Sequence, residues 1–389
     1  MDIGGRLLQQ FPTEDGYLML TIARNMSLGL GLSTSDGTIP TNGVQPLTTL
    51  LWSIGYFFTD SDKVGGVIFA HLLQLVTSVF AAMFMYLLVK KIFADFRFNK
   101  EVAMVSSAAL FASPHMIPHT MNFLETGNYL AILILVVWIF AEDKASASTY
   151  WSIRKSIAVG TILGLMFWIR NDSVFIILAA SLTYIYSGYV ANSNNFIPRL
   201  VRVLIFGSTS VLVAIPWLAF NYFNFGSIVP VSGQSQGMAD FASNIGMVPP
   251  SVLEYVLQIV PIPHSIESHP IVVLTCTISL LLLLAAYWWS WKRSKHIVRV
   301  VYFMGAISLI CFTVYYGLFF GARHFVSRYL IALFPFLAIC TLSVLLNLVD
   351  TYIPKQARIF GSAALISLLI IVALNVRIFV LGVPHQHFQ

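Results

Sequence analysis

The stretch GVIFAHLLQLVTSVFAAMFMYLLV, residues 66–89, contains no Asp, Glu, Lys or Arg and is followed at once by Lys90-Lys91. A helix needs about 20 apolar residues, at a rise of about 1.5 Å each, to cross the hydrocarbon core of a bilayer. This run is long enough, and its two lysines mark the end that stays on the cytoplasmic side. Working outward from it, further apolar runs lie near 102–118, 126–141, 155–170, 173–188, 202–222, 270–290, 298–320, 329–349 and 358–382. The fold these runs predict is an all-α polytopic membrane protein: a transmembrane helix bundle with outer juxtamembrane helices and a long outer loop.

Composition agrees with lipid as the solvent. Only 10% of the 389 residues are charged while 58% are hydrophobic and 14% aromatic, against about 25% charged in soluble domains. Lys plus Arg exceed Asp plus Glu by 22 to 16, but the basic residues sit in short loops rather than on a polar domain, which argues against nucleic acid. Assigning alternate loops to one side gathers Lys90, Lys91, Arg97, Lys100, Lys144, Arg154, Lys155, Arg199, Arg202, Lys292, Arg293, Lys295, Arg299, Lys355 and Arg358 together. By the positive-inside rule that side is cytoplasmic. Cys276, Cys311 and Cys340 fall in apolar stretches and read as buried thiols rather than a disulfide framework.

Four segments follow. Residues 1–65 form an outer first loop with juxtamembrane helices, 66–222 a set of transmembrane helices, 223–269 a long outer loop rich in Pro and Gly, and 270–389 the C-terminal transmembrane helices. Residues 16–28, closed by Gly29 and Gly31, read as a helix lying in the interface. Pro46–Phe58 reaches only about 20 Å and reads as a second juxtamembrane or re-entrant helix. Residues 1–12 show neither a signal-peptide core nor a stop-transfer pattern, so the sidedness predicts a transmembrane helix ahead of this segment that the chain as given does not contain.

The same sidedness sends Glu14, Asp15, Glu125, Arg170, Asp172, Arg323 and Arg328 to the outer face. Each has two readings. Glu14 and Asp15 can favour the first turn of a helix, with Thr13 or Asp15 as its N-cap; alternatively a carboxylate at the mouth of the bundle serves as general base on a hydroxyl. Glu125 can cap the span beginning near Thr126, its other role being one that a family resemblance supplies. Arg170 and Asp172 either pair across a tight turn or contact substrate. Arg323 and Arg328 either anchor the interface by snorkelling or, with His324 between them, bind phosphate through bidentate guanidinium donors.

The residues Asp15-Gly16-Tyr17, Ile22-Ala23-Arg24-Asn25, Gly29, Gly31 and Thr41-Asn42-Gly43-Val44-Gln45-Pro46-Leu47 resemble the first outer loop of the GT-C superfamily of polyprenyl-phosphate-dependent glycosyltransferases, in particular its protein O-mannosyltransferase, aminoarabinose transferase and RgtA/B/C/D-like branch. Ala112-Ser113-Pro114 with Asn122-Phe123-Leu124-Glu125-Thr126 resembles the second outer loop, where that family presents another acidic residue. Arg170-Asn171-Asp172 resembles a short outer hairpin, and Pro216-Trp217 with Asn221 the approach to the large outer loop. The resemblance covers most of the chain and rests on the order and shared sidedness of individually weak motifs. The spacing to Ala23-Arg24 matches Asp15 to the family's catalytic Asp. Gly16 then stands where the family usually has a second acidic residue, and Glu14 lies one position before the first.

What the resemblance implies is transfer of a sugar from a polyprenyl-phosphate-linked donor to the hydroxyl of a lipid, glycan or protein acceptor at the extracytoplasmic face, with inversion. Asp15 would be the base, Glu14 and Glu125 the acceptor or second acidic site, possible metal coordination included, and Arg323, Arg328 and His324 the donor-phosphate site. Arg24, Asn42, Gln45, Asn122, Arg170 and Asp172 are secondary candidates. No cofactor is required: Arg can neutralise a monophosphate leaving group, so a divalent metal is optional. The pairs His115/His119 and His264/His269 are poor metal sites, since Pro114 and Pro118 interrupt the first. Gly29, Gly31, Gly37 and Gly43 are too dispersed for a phosphate loop. Trp288, Trp289 and Trp291 beside Lys292 and Arg293 read as an interfacial belt. The rival reading, a transporter or lipid flippase, expects charges near the midplane and repeated halves; here charges gather at the loops and no repeat is visible. A non-catalytic membrane scaffold is a third reading, which holds if the outer motifs do not converge.

Overall fold

A computed structural model describes residues 13–96, 98–113, 116–192, 195–230, 244–246, 248–250, 252, 269–320 and 329–352. They are helical apart from loops and one isolated bridge between Ser33 and Pro40. The chain is an integral, multi-pass membrane protein: among the described residues, six helices are long and apolar enough to cross a bilayer.

Helix α1, Glu14–Ser27, starts where Thr13 accepts a hydrogen bond from the Gly16 amide at 3.1 Å. Met19, Leu20, Ile22 and Ala23 share its buried face while Tyr17 and Leu18 are exposed, the two-sided pattern of an interfacial helix. Helix α2, Pro46–Phe58, begins on a proline, whose missing N–H is no loss at a first helical position. Trp52 and Tyr56 of α2 pack with Leu20 and Ala23 of α1, with Phe123, and with Val67 and Ala70 of α3, Lys63–Ile92. Both juxtamembrane helices fall where the sequence predicts them.

Helix α4, Asn99–Phe111, is followed by a separate turn of helix at Met116–Thr120. The single span expected over 102–118 is therefore two pieces; the first ends at Phe111, shortly before Pro114, which has no amide to continue a helix, while Pro118 sits within the second. Helix α5, Thr126–Phe140, is short but buries side chains around most of its circumference, Tyr129, Leu130, Leu133, Ile134, Val136 and Val137 among them. Its residues Asn128 and Trp138 meet Thr77 and Lys91 of α3, so α5 runs parallel to α3 and begins level with the middle of that helix. The loop before α5 is thus recessed, roofed by α1 and α2.

Helix α6, Ile153–Ile169, packs against α8, Phe196–Phe225, with α7, Ser173–Val190, beside both. Gly160 and Gly164 are one turn apart on α6, and a Cβ at either would stand 2.5 Å from Phe206 O or Val213 Cβ. This small-residue spacing lets two backbones approach closely in lipid, where apolar burial alone drives no association. Helix α9, Pro270–Arg293, buries little beyond Cys276 and Ser290 and turns Leu274, Leu281, Leu282 and Leu284 outward, as a lipid-facing helix does. Helix α10, His296–Phe312, passes into a π-helix over Thr313–Phe320, and α11, Phe334–Tyr352, follows a 3₁₀ turn at Ile331–Leu333. The span expected over 358–382 and most of the loop over 223–269 lie outside the described residues.

At the basic end, Arg199 is buried and donates to Ala147 O at 2.7 Å and Thr149 O at 2.8 Å while pairing with Glu142 at 3.5 Å. Glu142 also accepts from the Trp151 indole. Arg199 therefore fastens the loop between α5 and α6, a packing role beyond the orientation its charge implies. Lys292 and Arg293 lie over the rings of Trp288 and Trp289, as the belt reading expects.

Candidate functional site

The loop ahead of α5 is fixed from three sides. The Trp52 indole of α2 donates to Phe123 O at 3.1 Å, Asn122 Oδ1 accepts from the Leu124 amide at 3.1 Å, and Leu124 packs with Met19 and Ile22 of α1 and with Val44. Phe123, fully buried, holds a left-handed backbone with φ of 64°, a conformation that persists only where surroundings over-determine it. Its ring centroid lies 4.2 Å from that of His71 on α3. From above, Gly16 of α1 rests on the loop: a Cβ there would stand 2.1 Å from Asn122 O. Only glycine fits, which explains why the position after Asp15 is not acidic.

So positioned, Glu125 sits at the start of α5 in helical geometry and makes no capping bond. Its Oε1 instead accepts from Arg170 Nη1 at 3.2 Å. Arg170 ends α6 in an extended conformation, with φ −151° and ψ 127°, which turns its side chain toward Asp172: Nε lies 3.1 and 3.2 Å from the two carboxylate oxygens, and Nη2 lies 2.5 Å from Oδ2. Tyr316, on the π-helix, donates to Asp172 Oδ2 at 2.8 Å and stacks on Tyr329 at 4.0 Å and 9°. The guanidinium carbon lies 5.2 Å from the ring of Tyr129 and 4.8 Å from that of Tyr329, in cation–π range. Glu125, Arg170 and Asp172 are all buried. Residues distant in sequence, Glu125, Arg170 with Asp172, Tyr316 and Tyr329, thus meet in one desolvated network carrying two carboxylates and one cation.

The other expected residues distribute around this network. Asp15 and Glu14 are exposed in the first turn of α1, with Thr13 rather than Asp15 as the cap, and Gly16 brings that turn onto the Asn122–Glu125 loop. Arg24 points the other way, donating to Ser61 O at 2.7 Å, and closes the far end of α1. Asn42 is buried and donates to Asn221 Oδ1 at 3.1 Å. Gln45 precedes α2, where its carbonyl accepts from Thr49. Asn122 turns its amide back onto its own loop. Arg323, His324 and Arg328 lie outside the described residues, as do His115 and His264. Glu125 and Asp172 are arranged as ion-pair partners of Arg170, a set that does not fit a divalent cation at Glu125; among the described residues no group of three or more His, Cys, Asp or Glu gathers. Sequence reasoning missed Tyr129, Tyr316 and Tyr329, since a tyrosine near the end of a span reads as an interfacial residue.

No family model and no curated protein sequence matches the chain. Among solved structures it is similar to ArnT from Cupriavidus metallidurans in the apo state, with a TM-score of 0.54 at 12% sequence identity. The match covers 89% of this chain and 57% of that one, so this chain spans a little over half the length of the structure it matches. At that identity the likeness speaks for architecture alone, and it runs through nearly all of the present chain. The chain therefore shares the polytopic helical architecture of that membrane protein.

Proposed function

We propose that this protein is a membrane glycosyltransferase that moves a sugar from a polyprenyl-phosphate carrier to an acceptor hydroxyl at the outer face. The observation that supports this reading is the seating of α1 on the loop that precedes Glu125: Gly16, the neighbour of the exposed Asp15, lies against Asn122 O, three residues before Glu125. Asp15 takes the proton from the acceptor hydroxyl as its oxygen attacks the anomeric carbon. The bond from that carbon to the phosphate oxygen breaks in the same displacement, so configuration inverts. Phosphate is a competent leaving group, and its departure needs positive charge more than an acid; Arg323, Arg328 and His324 are the residues assigned to supply it.

The Glu125–Arg170–Asp172 network is read as the rigid floor of the site, fixing the geometry against which α1 is seated. Its burial supports that role, because groups already paired in a water-poor setting do not reorganise during a reaction. The test is incubation of the purified protein with a panel of polyprenyl-phosphate sugars. Release of polyprenyl phosphate with formation of an inverted glycoside is expected for at least one donor. Failure of every donor to yield product, with protein that remains folded, would remove the reading.

A further inference from the structure

Near its outer end, α8 presents two buried hydrogen-bond donors one turn apart, Trp217 and Asn221. Trp217 is 3% exposed and Asn221 is 0% exposed, and among the described residues neither the indole N–H nor the Asn221 amide N–H₂ has a partner. In lipid or protein interiors an unpaired donor is costly, and positions four apart lie on one helix face, so the two can serve one bound group. Asn221 is fixed by Asn42, which donates to its Oδ1 and leaves the amide hydrogens presented. Two residues on from Asn42, Val44 packs with α1 and with Leu124 of the Glu125 loop, so this face adjoins the site described above. Trp217 stacks on Phe220 at 5.5 Å and 12° and lies 6.3 Å from Trp168, two residues before Arg170.

Resting on the glycosyl-transfer reading, we propose that Trp217 and Asn221, held by Asn42, form a subsite that recognises the sugar of the donor lipid rather than its phosphate. Neutral N–H donors beside flat aromatic rings suit a ligand that is uncharged, rich in oxygen acceptors and apolar on its ring faces. A phosphate would instead call for guanidinium or ammonium groups, and none of the three residues is charged.

The test compares binding of polyprenyl-phosphate hexose, pentose and aminopentose with that of sugar-free polyprenyl phosphate of the same chain length, using the full chain in lipid nanodiscs. Trp217→Phe keeps the ring and removes the N–H; Asn221→Ala removes the amide. The wild type is expected to prefer at least one sugar-bearing lipid, and each variant to lose that preference by about tenfold, the scale of one hydrogen bond, with affinity for sugar-free lipid unchanged. If Asn221→Ala does not fold, Trp217→Phe decides. Variants that keep the preference, or that lose both lipids equally, overturn the subsite: the donors then hold a structural water, and glycosyl transfer stands. A wild type that binds the lipids without regard to sugar overturns it likewise. A wild type that binds none of them overturns the glycosyl-transfer reading and the subsite together.

Discussion

Glu125 Oε1 accepts a hydrogen bond from Arg170 Nη1 at 3.2 Å across 45 residues of sequence. Because Arg170 also holds Asp172 through three contacts, one guanidinium is the shared partner of two buried carboxylates. Removing it strands both. Arg170→Met is expected to cost about 3–5 kcal/mol, the penalty for breaking a buried ion pair from one side, read as thermal unfolding in detergent. Adding Glu125→Gln and Asp172→Asn removes the stranded charges and should recover most of that loss. Equal stability of the single and triple variants would mean that the network is not desolvated.

Gly16 couples Asp15 to the recessed loop by shape alone. A methyl group at this position meets Asn122 O, and backbone cannot swing aside as a flexible side chain can. Gly16→Ala should lower stability by about 1–3 kcal/mol, the range for overpacking, and reduce transfer even though Asp15 is untouched. A Gly16→Ala protein with wild-type turnover would show that α1 tolerates displacement, and that its seating does not position the base.

The approach of α6 to α8 rests on Gly160 and Gly164. Gly164→Leu drives a branched side chain into Val213 and Ser210 O, separating the helix that ends in Arg170 from the helix that carries Trp217 and Asn221. Loss of folded protein on size exclusion in detergent, or a marked fall in melting temperature, is the expected result. Gly207→Leu is the control, since nothing lies within 4 Å of a Cβ at that position, and it should be neutral.

The bundle was legible because lipid imposes a coarse pattern. Long uncharged runs such as 66–89 and basic helix ends such as Lys292-Arg293 declare themselves without reference to neighbours. Thr13, Pro46 and Asp62 mark helix starts through local chemistry, which sequence also carries. The site was legible only in part. Arg170-Asn171-Asp172 could be read as a turn with an ion pair, yet the inclusion of Glu125 depends on α5 starting at mid-height on α3, a tertiary fact. Tyr316 donates from a π-helical segment that shifts its side chain off the ordinary helical register, and no periodicity reports this. Gly16 looked like a gap in an acidic motif, whereas its contact with Asn122 makes it the joint that seats the motif.

The central claim is that Asp15 is the base, and Asp15→Asn tests it most directly. The variant keeps size and helix position while removing the proton acceptor. With the best donor from the polyprenyl-phosphate panel, turnover is expected to fall by about 10²–10⁴-fold, the range for a general base, while donor binding and melting temperature match the wild type. Wild-type turnover in Asp15→Asn would contradict the account.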